Sequence, residues 1–432
     1  MRMQLREKLA LTEWRRRVVF WVGAVLCGSV AVLFARLSDV SMAAFFKARA
    51  WATWWPFVSA PIGLALCAWM TQRLFAGAEG SGIPQTIAAL TLPTERARDS
   101  VLSMRIVTGK VLLTLLALAS GASVGREGPT VQVGASIMHS LRRFARFSAA
   151  DVDRGLILAG GAAGVAAAFN TPLAGVVFAI EELSRSFEER TSGTILAAVI
   201  VAGVTSMALV GNYTYFGSTS ATMSEPRMWL SVPLCGLVGG LLGGLFSRVM
   251  IQLGAELPFS LHLVRLRRPV LFAAACGALI AALGWLSGGA TYGTGYAEAK
   301  ALLQNEAAPS TGFALMKALA TLVSYVSGIP GGLFAPSLAV GAGIGAHLHA
   351  WWPLAPAGAM VVLSMAAYFS GVVQAPLTAL VIVTEMTGNR ALTLPLMAAA
   401  LLGRGASALV CRHSLYRSLA ERFLVKQGPP EE

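Results

Sequence analysis

The sequence predicts an all-α, polytopic membrane protein built from two inverted-topology repeats, and three observations predict it: long apolar runs in a chain poor in charge, an internal repeat, and basic residues that flank equivalent blocks unequally. Asp, Glu, Lys and Arg make up 13% of the 432 residues, against roughly 25% in a soluble domain. Apolar runs near 18–35, 57–75, 101–119, 194–210, 229–251, 270–286, 359–384 and 391–410 reach or approach the roughly 20 residues that a spanning helix needs. Shorter runs at 156–169, 172–180 and 333–346 read as half-helices or re-entrant pieces. The first run follows a basic segment, as a signal peptide would. Its apolar core is longer than the usual 7–15 residues and no small-residue cleavage pattern follows, so it reads as a retained helix.

The repeat supplies the architecture. Laying Ser120–Ile137 on Ser327–Ile344, a shift of 207, makes eight of eighteen positions identical, among them Gly125/Gly332, Pro129/Pro336 and Gly134/Gly341. Downstream, at a shift of 204, Pro172-Leu173 meets Pro376-Leu377 and Glu181 meets Glu385; upstream, Gly80-Ser81-Gly82 resembles Gly293-Thr294-Gly295. Three blocks in one order at a nearly constant shift mark a true repeat. The first glycine block is followed by Arg142, Arg143, Arg146 and Arg154, whereas the matching stretch from Gly345 to Gly358 has no Lys or Arg. Basic loops stay on the cytoplasmic side, so the two halves cross in opposite senses, and in such folds the ion site lies where broken helices meet near the midplane.

The net charge of +13 comes from 34 basic against 21 acidic residues. Its distribution points to a membrane surface and gives no reason to expect nucleic acid. Arg2, Arg6, Lys8 and Arg15 to Arg17 precede the first run, and Arg412, Arg417, Arg422 and Lys426 follow the last, so both termini are expected in the cytoplasm. The five cysteines are scattered singly, as buried small hydrophobes are. His347 and His349 have no third ligand beside them, and no metal or cofactor is expected.

Three segments share one physical design: Gly80-Ser81-Gly82-Ile83-Pro84, Gly125-Arg126-Glu127-Gly128-Pro129 and Gly331-Gly332-Leu333-Phe334-Ala335-Pro336. Glycine frees the backbone to turn, and proline then falls where a helix can start without losing a needed N–H. Each is a candidate helix N-terminus inside the membrane, where free amides and the positive dipole end favour an anion. A bland alternative is that the glycines serve only close helix packing. Arg126 and Glu127 stand within such a block, and an ionisable residue at membrane depth marks an ion or proton path.

With these motifs, together with Asn170-Thr171-Pro172-Leu173-Ala174-Gly175, Glu181-Glu182 and the late Tyr416, the chain resembles the CLC family of chloride channels and chloride/proton antiporters over nearly its whole length. The resemblance implies two inverted repeats of tilted and half-spanning helices, in a homodimer with one anion pathway per subunit. It implies that Glu127 is the external gate, a carboxylate that competes with the anion and swings aside when protonated. It further implies an outer anion position at the amides of Arg126 and Gly128. The central site would take hydroxyls from Ser81 and Tyr416 and amides from Leu333 and Phe334. The Arg126 side chain is open to a second reading, as an ion-pair partner that holds the fold. Glu182 matches the glutamate that relays protons in antiporters; alternatively it is a solvated helix-end carboxylate facing Arg185 or Arg190. Ser81 points to chloride, because nitrate-preferring relatives tend to carry proline there. Gln85 stands where many relatives are acidic, which puts a local charge role in doubt.

The expectation is therefore a chloride/proton antiporter of the cell's inner membrane, with chloride, protons and the lipid bilayer as its partners. A passive chloride channel of the same fold is the nearest rival. An intramembrane serine protease built on Ser81 is a poor reading, because none of the five histidines shares a motif with it. A cation transporter is poor for want of acidic sites in the apolar runs. Residues 1–17 are expected as a cytoplasmic segment and 18–411 as the transmembrane domain, with repeats at roughly 57–211 and 229–411. Residues 412–432 would hold a helix end and a short tail.

Overall fold

The structure, a computed structural model, describes residues 2–145, 150–184, 189–211, 214–255, 259–306, 310 and 312–425. Arg146, Arg185 and Lys426 lie outside the described residues, as do the side chains of Arg2, Arg6, Lys8, Arg15, Arg16 and Arg190. The helices in chain order are α1 (Arg2–Trp51), α2 (Pro56–Arg73), α3 (Ile83–Thr91), α4 (Glu95–Asp99), α5 (Met104–Ala119), α6 (Glu127–Ala145), α7 (Ala150–Phe169), α8 (Pro172–Phe178), α9 (Glu189–Val210) and α10 (Ser231–Ala255). They continue with α11 (Phe259–Arg267), α12 (Pro269–Leu286), α13 (Tyr296–Leu303), α14 (Phe313–Val326), α15 (Phe334–Trp351), α16 (Ala357–Val373), α17 (Pro376–Thr387), α18 (Thr393–Val410) and α19 (Leu415–Val425). Among the described residues there is no strand, only two isolated backbone bridges, Gly80 to Pro330 and Gly125 to Gly332.

Among the described residues, five segments are long and apolar enough to cross a bilayer: Arg17–Trp51, Glu95–Ala119, Pro226–Ala255, Pro269–Leu286 and Thr393–Val410. Others are too short. α3 has 9 residues, which at 1.5 Å per residue spans about 14 Å, half of a hydrocarbon core of about 30 Å. Buried, irregular backbone at the starts of such pieces is the arrangement a membrane tolerates.

Several boundaries differ from the sequence reading. The run 359–384 is two helices, because Gln374 takes a left-handed conformation (φ 59°) and ends α16. Pro376 then opens α17, a position where its missing N–H costs nothing. The pieces at 156–169 and 333–346 belong to longer helices of 20 and 18 residues. Polar residues at their ends, Asp153 and Arg154 in one and His347 and His349 in the other, hid that length. The first run lies within a single helix of 50 residues. The run 172–180 does form a short helix, α8, which continues into a π-helical turn at Ala179–Ser184.

Small residues set how closely the helices pack. A methyl group at Gly134 of α6 would stand 2.3 Å from the Gly160 carbonyl oxygen of α7, and one at Gly160 would stand 2.4 Å from that of Gly134. Larger residues at either place would force the two helices apart. The far end of α6 is fastened by charge: Arg98 meets Asp153 at 2.5 Å, and His139 lies between Asp153 at 3.0 Å and Asp99 at 2.9 Å. Arg98, His139 and Asp153 are all buried, so α6 is pinned to α4 and α7 opposite the end that carries Glu127.

Candidate functional site

The three glycine–proline segments meet at one knot of backbone. Gly125 N–H donates to the Gly332 carbonyl at 2.7 Å and Gly332 N–H returns the bond to Gly125 at 2.7 Å. Gly80 N–H donates to Ile329 at 3.2 Å, and Gly331 N–H to Gly80 at 3.1 Å. From this knot α3, α6 and α15 set out. Thr86, Thr130 and Ser337 make the i to i−4 bonds that open them, to Gly82, Arg126 and Leu333. The amides of Glu127, Gly128, Phe334 and Ala335 therefore lie in first turns, where no preceding helical carbonyl accepts them.

Gly82 has φ 98°, a left-handed conformation that favours glycine. The turn aims Ser81 at Gly128, where a methyl group would stand 2.4 Å from Ser81 Oγ. Gln85 steadies this turn without charge: its Oε1 accepts from Gly82 N–H at 3.1 Å, and its Nε2 donates to the Glu79 carbonyl. The amine of Lys110, from α5, also donates to the carbonyls of Glu79 at 3.1 Å and Gly80 at 2.9 Å. In the second repeat, Lys317 of α14 does the same for Thr291 at 2.9 Å and Gly293 at 2.7 Å. Both lysines are fully buried. They were missed in the sequence, although they stand 207 residues apart, in the register of the repeat.

Glu127 is buried, and its carboxylate folds back over the helix start: a methyl group at Gly125 would stand 2.2 Å from Glu127 Oε2. The carboxylate approaches the amides of Glu127 itself and of Ala335 in α15. Its Oε1 accepts from the Tyr215 hydroxyl at 3.2 Å. Tyr215 was not foreseen; it sits in an irregular stretch with no motif around it. The Arg126 side chain turns away to α1, donating to Asp39 at 2.7 Å and to the Ala35 carbonyl at 2.5 Å. Its guanidinium also lies 5.9 Å from the centre of the Tyr215 ring.

Tyr416 extends from α19 into the core. It is fully buried although it follows the boundary expected at residue 411, and its ring stacks on Phe334 at 6.0 Å with an interplanar angle of 14°. The Tyr416 phenol interacts with Ser81 and is within electrostatic reach of Glu182 and Glu127. Neither Ser81 Oγ nor Tyr416 Oη forms a hydrogen bond of good geometry with another protein atom. Two buried hydroxyls thus lie close together. Leu333 and Phe334 are buried at the start of α15.

Glu182 is buried in the π-helical turn and accepts from the Ser414 hydroxyl at 3.3 Å. It is not the solvated carboxylate of the bland reading. Its neighbour Glu181 points elsewhere, accepting from the amides of Leu377 at 3.1 Å and Thr378 at 2.6 Å. A π-turn adds a residue to one helical turn, and here two adjacent carboxylates meet separate partners. His347 and His349 each face a backbone carbonyl, Gly343 at 2.7 Å and Ala355 at 3.0 Å.

Three helix starts thus meet in the core with two buried carboxylates, Glu127 and Glu182, nearby. The family model described as "Voltage gated chloride channel" matches residues 62–408. The chain is 30% identical over 396 residues to the H(+)/Cl(-) exchange transporter ClcA of Yersinia pestis bv. Antiqua (strain Angola), covering 86% of this chain and 79% of that protein. It is 31% identical over 385 residues to the ClcA of Citrobacter koseri, covering 84% and 78%. The crystal structure of a slow cyanobacterial Cl-/H+ antiporter superimposes with a TM-score of 0.81 at 25% identity, over 96% of this chain and 99% of that one. A CLC-type fluoride/proton antiporter shares the fold with a TM-score of 0.78 at 22% identity, over 94% and 97%. The all-α fold is of the CLC type, and the chain belongs to the CLC family, that of the voltage-gated chloride channel model.

Proposed function

We propose that this multi-pass membrane protein exchanges chloride for protons, through one pathway in each subunit of a homodimer. One observation carries the reading: the Glu127 carboxylate lies folded over Gly125 at the start of α6, beside the Ala335 amide at the start of α15. A side-chain anion thus occupies helix mouths that suit a free anion. Chloride and carboxylate compete for the same amides, and protonation removes the carboxylate's claim, since a neutral acid is held less strongly by such donors. The amides of Arg126 and Gly128 serve the outer position, while the Arg126 side chain stabilises the fold through Asp39.

Farther in, the hydroxyls of Ser81 and Tyr416 and the amides of Leu333 and Phe334 form the central site. A buried hydroxyl left unpaired costs about 1–3 kcal/mol, so a place that keeps two of them together serves a ligand that pairs with both. Glu182 hands protons on from the cytoplasmic side. Its burial favours exchange over passive conduction, because two carboxylates screened from water and set along one path are what coupling requires. The names of the Yersinia and Citrobacter relatives support the same choice. We place the protein in the inner membrane with both termini cytoplasmic, and we read it as a transporter rather than an enzyme.

The test is the reversal potential in planar bilayers under crossed chloride and pH gradients. An antiporter's reversal potential moves when the pH gradient alone is changed. A channel's follows chloride alone.

A further inference from the structure

We propose that Tyr215 is the outer latch of the gate: its hydroxyl holds the ionised Glu127 carboxylate across the pathway and sets the pH at which the gate lets go. The proposal rests on the reading of Glu127 as the gate. Its own ground is geometric. Tyr215 Oη donates to Glu127 Oε1 at 3.2 Å, and the ring that presents it cannot swing away. Phe169, Phe216 and Tyr296 pack edge-on against that ring, with centroids 5.8, 5.1 and 5.0 Å away. The next residue, Phe216, ties the segment to the end of α17 through its N–H to the Met386 carbonyl at 3.0 Å.

Tyr215 also lines a cavity of about 320 Å³ with Asp39, Arg126, Thr294 and Tyr296. Tyr215 thus touches both this cavity and the Glu127 carboxylate, which is not itself part of the cavity's lining.

The other groups around Glu127 do not duplicate this role. Arg126 adjoins it in sequence, with a guanidinium committed to Asp39 of α1. Tyr296 of α13 packs on Tyr215 and feels Asp39 and Arg126. Tyr416 of α19 is within electrostatic reach, and α15 contributes the Ala335 amide. A donor to a carboxylate favours its charged form, so Tyr215 opposes protonation and helps the carboxylate against chloride. Tyr215 is a positioning residue, because it acts through Glu127.

Tyr215→Phe tests this, since it keeps the ring and its packing and removes only the donor. Chloride and proton fluxes in liposomes are measured against external pH for the parent protein, Tyr215→Phe, Glu127→Gln and the double variant. In Tyr215→Phe the pH of half-maximal transport should rise by about one unit, the size expected for one hydrogen bond to a charged group, with the chloride-to-proton ratio unchanged. A fluorinated tyrosine at 215, a stronger donor, should move it down. In the Glu127→Gln background the second change should do nothing. If Glu127→Gln loses pH dependence while the Tyr215→Phe profile superimposes on the parent's, Tyr215 only packs and the proposal fails. If Glu127→Gln keeps the parent's profile, the gate assignment itself fails.

Discussion

Glu181 and Glu385 each cap the helix that begins in the other's repeat. Glu181 accepts from Leu377 and Thr378 at the start of α17, while Glu385 accepts from Leu173 at 3.3 Å and Ala174 at 2.8 Å at the start of α8. The exchange is reciprocal because the two glutamates and the two prolines that open those helices are equivalent positions, 204 residues apart. Carboxylates at helix N-termini are favoured by the dipole and by the free amides. The same pseudo-two-fold relation produces the paired bonds between Gly125 and Gly332.

Glu181→Ala and Glu385→Ala should therefore destabilise the protein to a similar degree. Each removes an acceptor shared by two amides, a loss of about 1–3 kcal/mol, readable as a lowered unfolding temperature in detergent. Transport coupling should survive in Glu181→Ala, unlike in a variant of its neighbour Glu182. A Glu181→Ala protein with parent stability would show that the caps do not hold the repeats together.

Breaking the buried pair at the other end of α6 should cost more. Asp153→Asn leaves the Arg98 guanidinium without its carboxylate at a site where both side chains are buried, and such losses run to about 3–5 kcal/mol. Denaturation of Asp153→Asn beside Arg98→Met/Asp153→Leu distinguishes charge from packing. The double apolar replacement should recover much of the stability. Equal losses in both would mean that shape, not the unpaired charge, sets the cost.

Ser81→Ala and Tyr416→Phe each delete one hydroxyl from the proposed central site. A hydrogen bond to a charged partner contributes about 1.5–3 kcal/mol, so chloride affinity should fall roughly tenfold or more in each. Isothermal calorimetry measures it directly. Parent-like affinity in both variants would move the central site to other residues.

Glu182→Gln should halt proton movement and leave chloride flux largely intact. It keeps the Ser414 contact available and removes only the titratable group. Simultaneous chloride-electrode and pH recordings give the ratio, and an unchanged ratio would return Glu182 to a structural role.

The candidate site was legible where breakers and repeats coincided. Gly125 to Pro129 and Gly332 to Pro336 stood out because glycine, proline and a constant shift of 207 fall together, and the structure brings both to one knot. Glu181 was matched to Glu385, but its capping role was not legible, since a helix N-terminus in the other repeat is a long-range partner. The π-turn that holds both Glu181 and Glu182 was not legible, because a six-residue element is too short to show a period of its own. Lys110 and Lys317 were legible in principle from the repeat register. Tyr215 was not: its position beside Glu127 depends on an irregular segment and on packing with Phe169 and Tyr296.

Proton uptake driven by a chloride gradient tests the central claim most directly. With the protein in liposomes loaded with high chloride and diluted into low chloride, a pH electrode should record protons entering against no initial pH gradient as chloride leaves. A proton ionophore should abolish the accumulation, and Glu127→Ala should release chloride without moving protons. Chloride efflux from the parent protein with no proton uptake would contradict the account and identify a passive channel. Strong proton pumping by Glu127→Ala would contradict the placement of the gate.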